Sequence, residues 1–486
     1  MLRKILFIVS FIWWAGTIFL LWEGTRAAEQ VDIPDVDIVT IGKIQKQNWY
    51  SIYWQGEKIG YNSKSVRKIG SSFMITDMSY MRLPVGGVVQ EIYARSITTV
   101  DSTYAIRSSS FDLKSGDYEA TADAKMNDGL LTVVLKTTQS EDTMEIPLDG
   151  KIYPPSMLPE MFISARKSGK RLTQIPTFDP FTLSRVYYRI LSVNRKRKNI
   201  EGKKQDVWVL MTASQGVSSE MWISDDGNLL FEKTANDFTQ FKENQDEALR
   251  FDLSHSGRND ILTGFAIPSQ WSPSVSPRKS KFAKYKLENF PRKLLELDDF
   301  NQKISGDTLI VCSDGFDSGE KPTPDDTAEV PFIQCHDRRI QRAAYKIIGN
   351  SSDTIDMLIK INDYLFKNIK KQYQTSIPSA LDILDKMRGD CNEHSTLFTA
   401  LARSLGIPTR INVGLVYRED GYFFYHAWVQ AYAYGKWHTF DPTLGQFPAD
   451  ASHIKLLSGS LDKQVQLLRI SDANIHIVEA VEKCGQ

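Results

Sequence analysis

The 486-residue chain has no excess of either charge: Lys and Arg together number 59, and so do Asp and Glu. A balanced chain sets up no global field to gather a polyanion, so no nucleic-acid partner is expected. Cysteine is scarce, with only Cys312, Cys335, Cys391 and Cys484, and none belongs to a C-x-x-C pair, which removes a structural zinc site of that kind. No EF-hand or dense carboxylate loop is present to hold calcium. No internal repeat stands out beyond a recurring hairpin pattern. No cofactor and no metal are expected.

What is present begins with an address. After Arg3 and Lys4, Ile5 to Trp22 run without a charge, long for a secretory segment and just long enough to cross a bilayer as a helix. Residues 1–28 therefore read as a signal anchor or a removed signal peptide. With Arg3 and Lys4 kept inside, the rest is exported, as a single-pass membrane protein or a secreted one. A chain of this length exceeds one core, so at least two folded domains are expected. Residues 40–270 read as an antiparallel β-rich domain. Asn127-Asp128-Gly129 and Asp225-Asp226-Gly227 each separate two strand-like runs, the sequence form of a hairpin. Residues 271–344 read as a connector, opened by Ser272-Pro273-Ser274-Val275-Ser276-Pro277 and carrying the basic residues Arg278, Lys279, Lys281, Lys284 and Lys286 as a solvated face. Cys312 and Cys335 flank a loop rich in Asp, Gly, Pro and Ser, and a disulfide between them is expected in an oxidising compartment.

The last domain, 345–486, carries the chemistry. Ile355, Leu358, Ile359, Leu365 and Ile369 form one helical apolar face, and Leu397, Phe398, Leu401, Ala402 and Leu405 another. Asp390 stands as N-cap of the second of these helices, with Glu393 three residues on as in a capping box. Cys391 is then the first helical residue, where the unpaired N–H groups of the helix start suit a sulfur anion and, later, an oxyanion. His426 lies in a strand, and Asp441 follows the next strand, 15 residues on. The two fall opposite one another only if the intervening turn centres near Ala433-Tyr434; a tight Gly435-Lys436 turn displaces them by about four residues along the pair. A thiol, an imidazole to take its proton and a carboxylate to orient that imidazole make up the logic of covalent acyl transfer. A zinc reading of Cys391, His394, His426 and Asp441 also suits the residue types. His438 and His453 read as structural or exposed.

Gly389-Asp390-Cys391 before a helix, Ala402-Arg403-Ser404-Leu405-Gly406-Ile407-Pro408-Thr409-Arg410, His426-Ala427-Trp428, and Trp437 with Asp441-Pro442-Thr443 resemble the core of the transglutaminase-like superfamily, especially its bacterial exported members. The resemblance spans roughly residues 350 to 455. It implies an α+β fold with a papain-like core, the Cys helix packed on an antiparallel sheet, behind the β-rich domain and the N-terminal helix. It also implies Cys391 as nucleophile, His426 as general base and acid, and Asp441 as orienting carboxylate. The family's further oxyanion donor has no clear match, with Gln372 and Tyr373 the nearest upstream residues. The implied substrate is a polypeptide and the implied place the bacterial cell envelope, inner-membrane anchored facing the periplasm or free within it. Hydrolysis of a peptide or amide bond is the expected reaction, with amine transfer to protein glutamine or an inactive scaffold as alternatives.

Overall fold

The computed structural model describes residues 46–484, apart from 86–87, 117, 180–183, 201, 215–216, 236, 251–265, 272–275, 291–294, 317–318, 374–378 and 460–472. The chain divides into two compact units, with the boundary at Asp260 and Ile261.

The first unit is one sheet of fourteen strands, β1 (Lys46–Trp54) to β14 (Phe238–Glu243), curled into a nearly closed barrel. Strands β1 to β8 (Glu141–Pro147) form one meander and β9 (Gln174–Asp179) to β14 another. The two join where β1 pairs with β14, Tyr50 facing Lys242 and Ile52 facing Gln240. The turn between β6 (Tyr118–Asn127) and β7 (Leu130–Thr137) has positive φ at Asp128 (45°) and Gly129 (82°), the type I′ geometry that matches strand twist. Helix α1 (Leu158–Lys167) connects the two open edges and buries Leu158, Met161, Phe162 and Ile163 in the same core as Phe73, Ile75, Leu131 and Ile175 of the strands. Acidic groups are buried with it. Lys64 bonds to Glu160 Oε1 at 2.8 Å and to the Ser156 carbonyl, and the Ser156 hydroxyl donates to Asp77 Oδ2 at 3.1 Å. Gln240 Nε2 donates to Glu232 Oε2 at 2.6 Å from the facing strand.

The second unit sets helices on a nine-stranded sheet. Its strand order is β17 (Gln302–Ser305), β18 (Thr308–Cys312), β16 (Phe282–Glu288), β25 (Asn474–Val481), β15 (Ile267–Trp271), β22 (Tyr422–Ala433), β21 (Thr409–Arg418), β24 (His453–Ser458), with β23 (Lys436–Phe440) paired to β22. Helices α3 (Arg338–Ile348), α4 (Thr354–Asn368), α5 (Ala380–Lys386) and α6 (Cys391–Ser404) follow a one-turn helix, α2 (Gln245–Leu249), of the first unit. Leu397, Phe398 and Leu401 of α6 share a core with Ile340 and Ala344 of α3, Leu358, Ile361 and Leu365 of α4, and Val413, Leu415, Val429 and Ala431 of the strands. The stretch whose composition marks a connector supplies β16, β17 and β18 to this sheet. In β16, Ala283, Tyr285 and Leu287 are buried while Lys284 and Lys286 alternate outward.

Two expectations are corrected. The α+β class with an N-terminal transmembrane or signal helix gives way to a fold that is mostly β, 54% strand and 19% helical among the described residues. The resemblance over the last domain set that class, but strands dominate once the fourteen of the first unit are counted. No helix among the described residues is long and apolar enough to cross a membrane, and the run 5–22 lies outside the described residues. The disulfide joins Cys312 to Cys484, while Cys335 is free and buried. Strands β18 and β25 flank β16 on either side, where Phe282 faces both Cys312 and Val481, so the chain end returns beside Cys312.

Burial pushes the carboxyls of Asp77 and Glu232 up to about 6 and about 7. A carboxyl with a raised folded-state value binds its proton more tightly when folded, so stability falls as pH rises from the ordinary value of 4.5 through about 7. Replacing Glu232 by Gln removes that dependence. In denaturant titrations the variant is expected to exceed the wild type by on the order of 2–3 kcal/mol at pH 8.5 and to match it near pH 5. An equal difference at both pH values contradicts the assignment.

Candidate active site

Helix α6 presents Cys391 through its own cap. Asp390 Oδ1 accepts from the Asn392 N–H at 3.0 Å, and Glu393 Oε2 accepts from the Asp390 N–H at 2.7 Å, completing a capping box. Gly389 makes room for that return: a Cβ there would sit 2.3 Å from Glu393 Cγ. Strand β19 (Lys370–Lys371) pairs in parallel with β20 (Arg388–Gly389), and the Gln372 N–H donates to the Gly389 carbonyl at 3.0 Å. Gln372 and Tyr373 are thereby laid along the same cavity, of about 680 Å³, that Cys391 and His426 line. The Cys391 N–H is one of the four at a helix start that have no acceptor within the helix.

The hairpin β22–β23 sets the other two side chains. Ala433 faces Lys436 across a two-residue turn at Tyr434 and Gly435, whose φ values of 50° and 82° are both positive, again type I′. The turn therefore lies between the two alternatives the sequence leaves open. In this register Phe440 faces Val429, so Asp441 comes level with Trp428, two residues from His426 and on the same face of the strand. The diagonal is short enough: His426 Nε2 lies 2.7 Å from Asp441 Oδ2. With Nε2 engaged, Nδ1 is the nitrogen left for Cys391, which lines the same cavity as His426. The Trp428 ring stacks at 16° on the imidazole, with centroids 6.2 Å apart.

A third imidazole completes the group, and sequence reasoning missed it. His453, buried at 1% exposure, brings Nε2 to 3.0 Å from the same Asp441 Oδ2. It opens β24, which approaches β21 closely at Gly414, where a Cβ would lie 2.0 Å from the Ile454 carbonyl oxygen. Gly414 faces His426 across the β21–β22 pair. The only signal in the sequence is Asp450-x-x-His453, a short-range acceptor for the ring. Asp441 Oδ1 accepts from the backbone N–H groups of Thr443 at 2.8 Å and Leu444 at 2.9 Å. The ligand atoms of His426, Asp441 and His453 lie within 4.8 Å of one another, as three metal ligands also would. Here both nitrogens converge on one carboxylate oxygen at the spacing of N–H donors on an acceptor. His394, one of the residues in the zinc reading, is fully buried and turns Nδ1 to the Asp390 carbonyl at 2.6 Å, and burial lowers its basicity. His438 is partly buried on β23 and places Nε2 3.2 Å from the Ala433 carbonyl.

The electrostatics follow from burial and pairing. Burial disfavours a charged His426, but the Asp441 carboxylate and the hydrogen bond to it outweigh that and push the ring up to about 10. Burial likewise opposes the Asp441 charge, yet His426 and His453 hold its carboxyl well below the usual range.

Residues 341–442 match the family model described as the transglutaminase-like superfamily. No curated protein matches. Two solved structures are similar in part. A β-barrel-like protein with a domain of unknown function from Brucella abortus is 14% identical, with a TM-score of 0.32, over 40% of this chain and 94% of its own. A proposed cysteine protease from Cytophaga hutchinsonii is 16% identical, with a TM-score of 0.29, over 42% of this chain and 90% of its own.

A raised imidazole contributes stability that is complete below its ordinary value of 6.5 and is lost as pH rises through about 10. Asp441→Asn removes the partner and leaves two buried imidazoles without their carboxylate. The expected result in pH-dependent melting is a loss of about 3–5 kcal/mol at pH 7 and a flat profile from pH 7 to 10, where the wild type declines. A parallel decline in both proteins contradicts the pairing.

Proposed function

We propose, from a chain whose residues 341–442 carry the core of the transglutaminase-like superfamily, a family of thiol enzymes, that it performs acyl transfer through Cys391 and hydrolyses a peptide or amide bond. The observation that carries this reading is the 2.7 Å hydrogen bond between His426 Nε2 and Asp441 Oδ2, with His426 and Cys391 lining one cavity. His426 Nδ1 takes the thiol proton, and the sulfur attacks the acyl carbon. The charge that develops on the acyl oxygen is met by the Cys391 N–H and the Gln372 side chain. The imidazolium passes its proton to the departing amine, leaving a thioester on Cys391. His426 then draws a proton from water, which attacks the thioester and releases the acid, and the thiol is restored.

Exported placement is part of the proposal. The Cys312–Cys484 disulfide supports it, because such bonds persist in oxidising compartments. The proposed substrate is a polypeptide of the cell envelope.

Incubation of the full chain with a glutamine- and amide-containing peptide library, with and without a labelled primary amine, tests the reaction. Hydrolysis products lost in Cys391→Ala are expected, with Gln372→Ala slower by roughly 10²-fold. Incorporation of the labelled amine in place of hydrolysis selects amine transfer. Identical products from wild type and Cys391→Ala overturn the enzymatic reading.

A further inference from the structure

Both ring nitrogens of His453 face acceptors. Nε2 is 3.0 Å from Asp441 Oδ2, while Nδ1 is 3.0 Å from the Asp450 carbonyl oxygen and 3.2 Å from Asp450 Oδ1. A neutral imidazole carries one N–H and one lone pair, so either tautomer would point a lone pair at an oxygen in a site closed to water. Trp428 covers the ring edge-on, with centroids 5.1 Å apart.

We infer that His453 is a permanently doubly protonated imidazolium, a positioning residue that shares the Asp441 carboxylate with His426 and leaves His426 free to release its proton. Its charge state stands on the hydrogen-bond geometry; its purpose rests on the acyl-transfer reading above. The charged and titratable groups around the ring are few. The loop after β23 supplies Asp441 and Asp450, and β22 supplies His426. Helix α6 contributes His394, which feels Asp441, and the turn Pro277–Lys279 contributes Arg278, whose Nη1 lies 3.9 Å from Asp450 Oδ2. Tyr285 of β16 donates to the Ala451 carbonyl at 2.7 Å. The two carboxylates are thus matched by the His453 ring and Arg278. When His426 takes the Cys391 proton, its positive charge is then left to balance the sulfur alone. Were His453 neutral, Asp441 would draw its whole counter-charge from His426, which would then hold its proton too firmly to pass it to a leaving amine.

The full chain, labelled with ¹⁵N at histidine, tests this by NMR, with His453→Gln used to assign the resonances. Two N–H nitrogens on His453 from pH 6 to 8.5 are expected; a single unprotonated nitrogen at pH 7 overturns the inference. In His453→Gln the His426 proton is expected to bind at least tenfold more tightly, moving its titration up by a pH unit or more, and His453→Lys to restore the wild-type midpoint. A lost melting temperature with an unmoved His426 titration would mean a structural role only. Failure of Cys391 to react with iodoacetamide faster than a model thiol would sink the acyl-transfer reading while leaving the nitrogen measurement intact.

Discussion

A carboxylate with no exposed surface cannot stay ionised unless its surroundings replace water, and Asp441 meets that demand with four donors. Two imidazole nitrogens reach Oδ2 and two backbone N–H groups reach Oδ1. The backbone pair comes from Thr443 and Leu444, just past Pro442, so the turn beyond β23 is itself shaped by the charge it surrounds. Everything the site can do follows from that anchored charge. It orients the ring of His426, raises that ring's affinity for a proton, and draws β24 in through His453. Breaking one partner of such a buried cluster costs several kcal/mol because the others are left facing uncompensated charge.

The rest of the second unit delivers side chains to this point. The type I′ turn at Tyr434 and Gly435 fixes a register in which Asp441 lies one diagonal step from His426, a reach that a one-residue slip would send to the other face. The glycine at 414 lets a third strand come close enough to add its own histidine. On the other side, the capping box of α6 and the short parallel pair of β19 and β20 hold the Cys391 backbone and Gln372 at one wall of the cavity. Three separate local devices therefore converge: a tight turn, a close glycine contact, and a side-chain cap backed by a short parallel pair.

How much of this could be read from residues depends on the range of each interaction. The cap at Asp390 and Glu393 was legible because its donors and acceptors sit three residues apart. The Asp-Gly turns of the first unit were legible for the same reason. The hairpin register was not, since it turns on Tyr434 taking a left-handed conformation that no side-chain preference announces. His453 was hidden because its partner arrives from two strands away, and the buried strand β16 was hidden because its outward lysines outweighed three alternating apolar residues. Cys484 found Cys312 only through the order of strands around β16, which composition does not encode. The overall class was misjudged through weighting: it followed the resemblance of the last domain, while fourteen modest strands declare themselves only in sum.

The most direct measurement is covalent. Mixing the full chain with an activated acyl donor, such as a peptide thioester, quenching in acid and mapping the adduct by peptide mass spectrometry reports which sulfur accepts the acyl group. The account predicts a thioester on Cys391 that is absent in His426→Ala and leaves Cys335 unmodified. An adduct on Cys335, or none on Cys391 in the native chain, would contradict it.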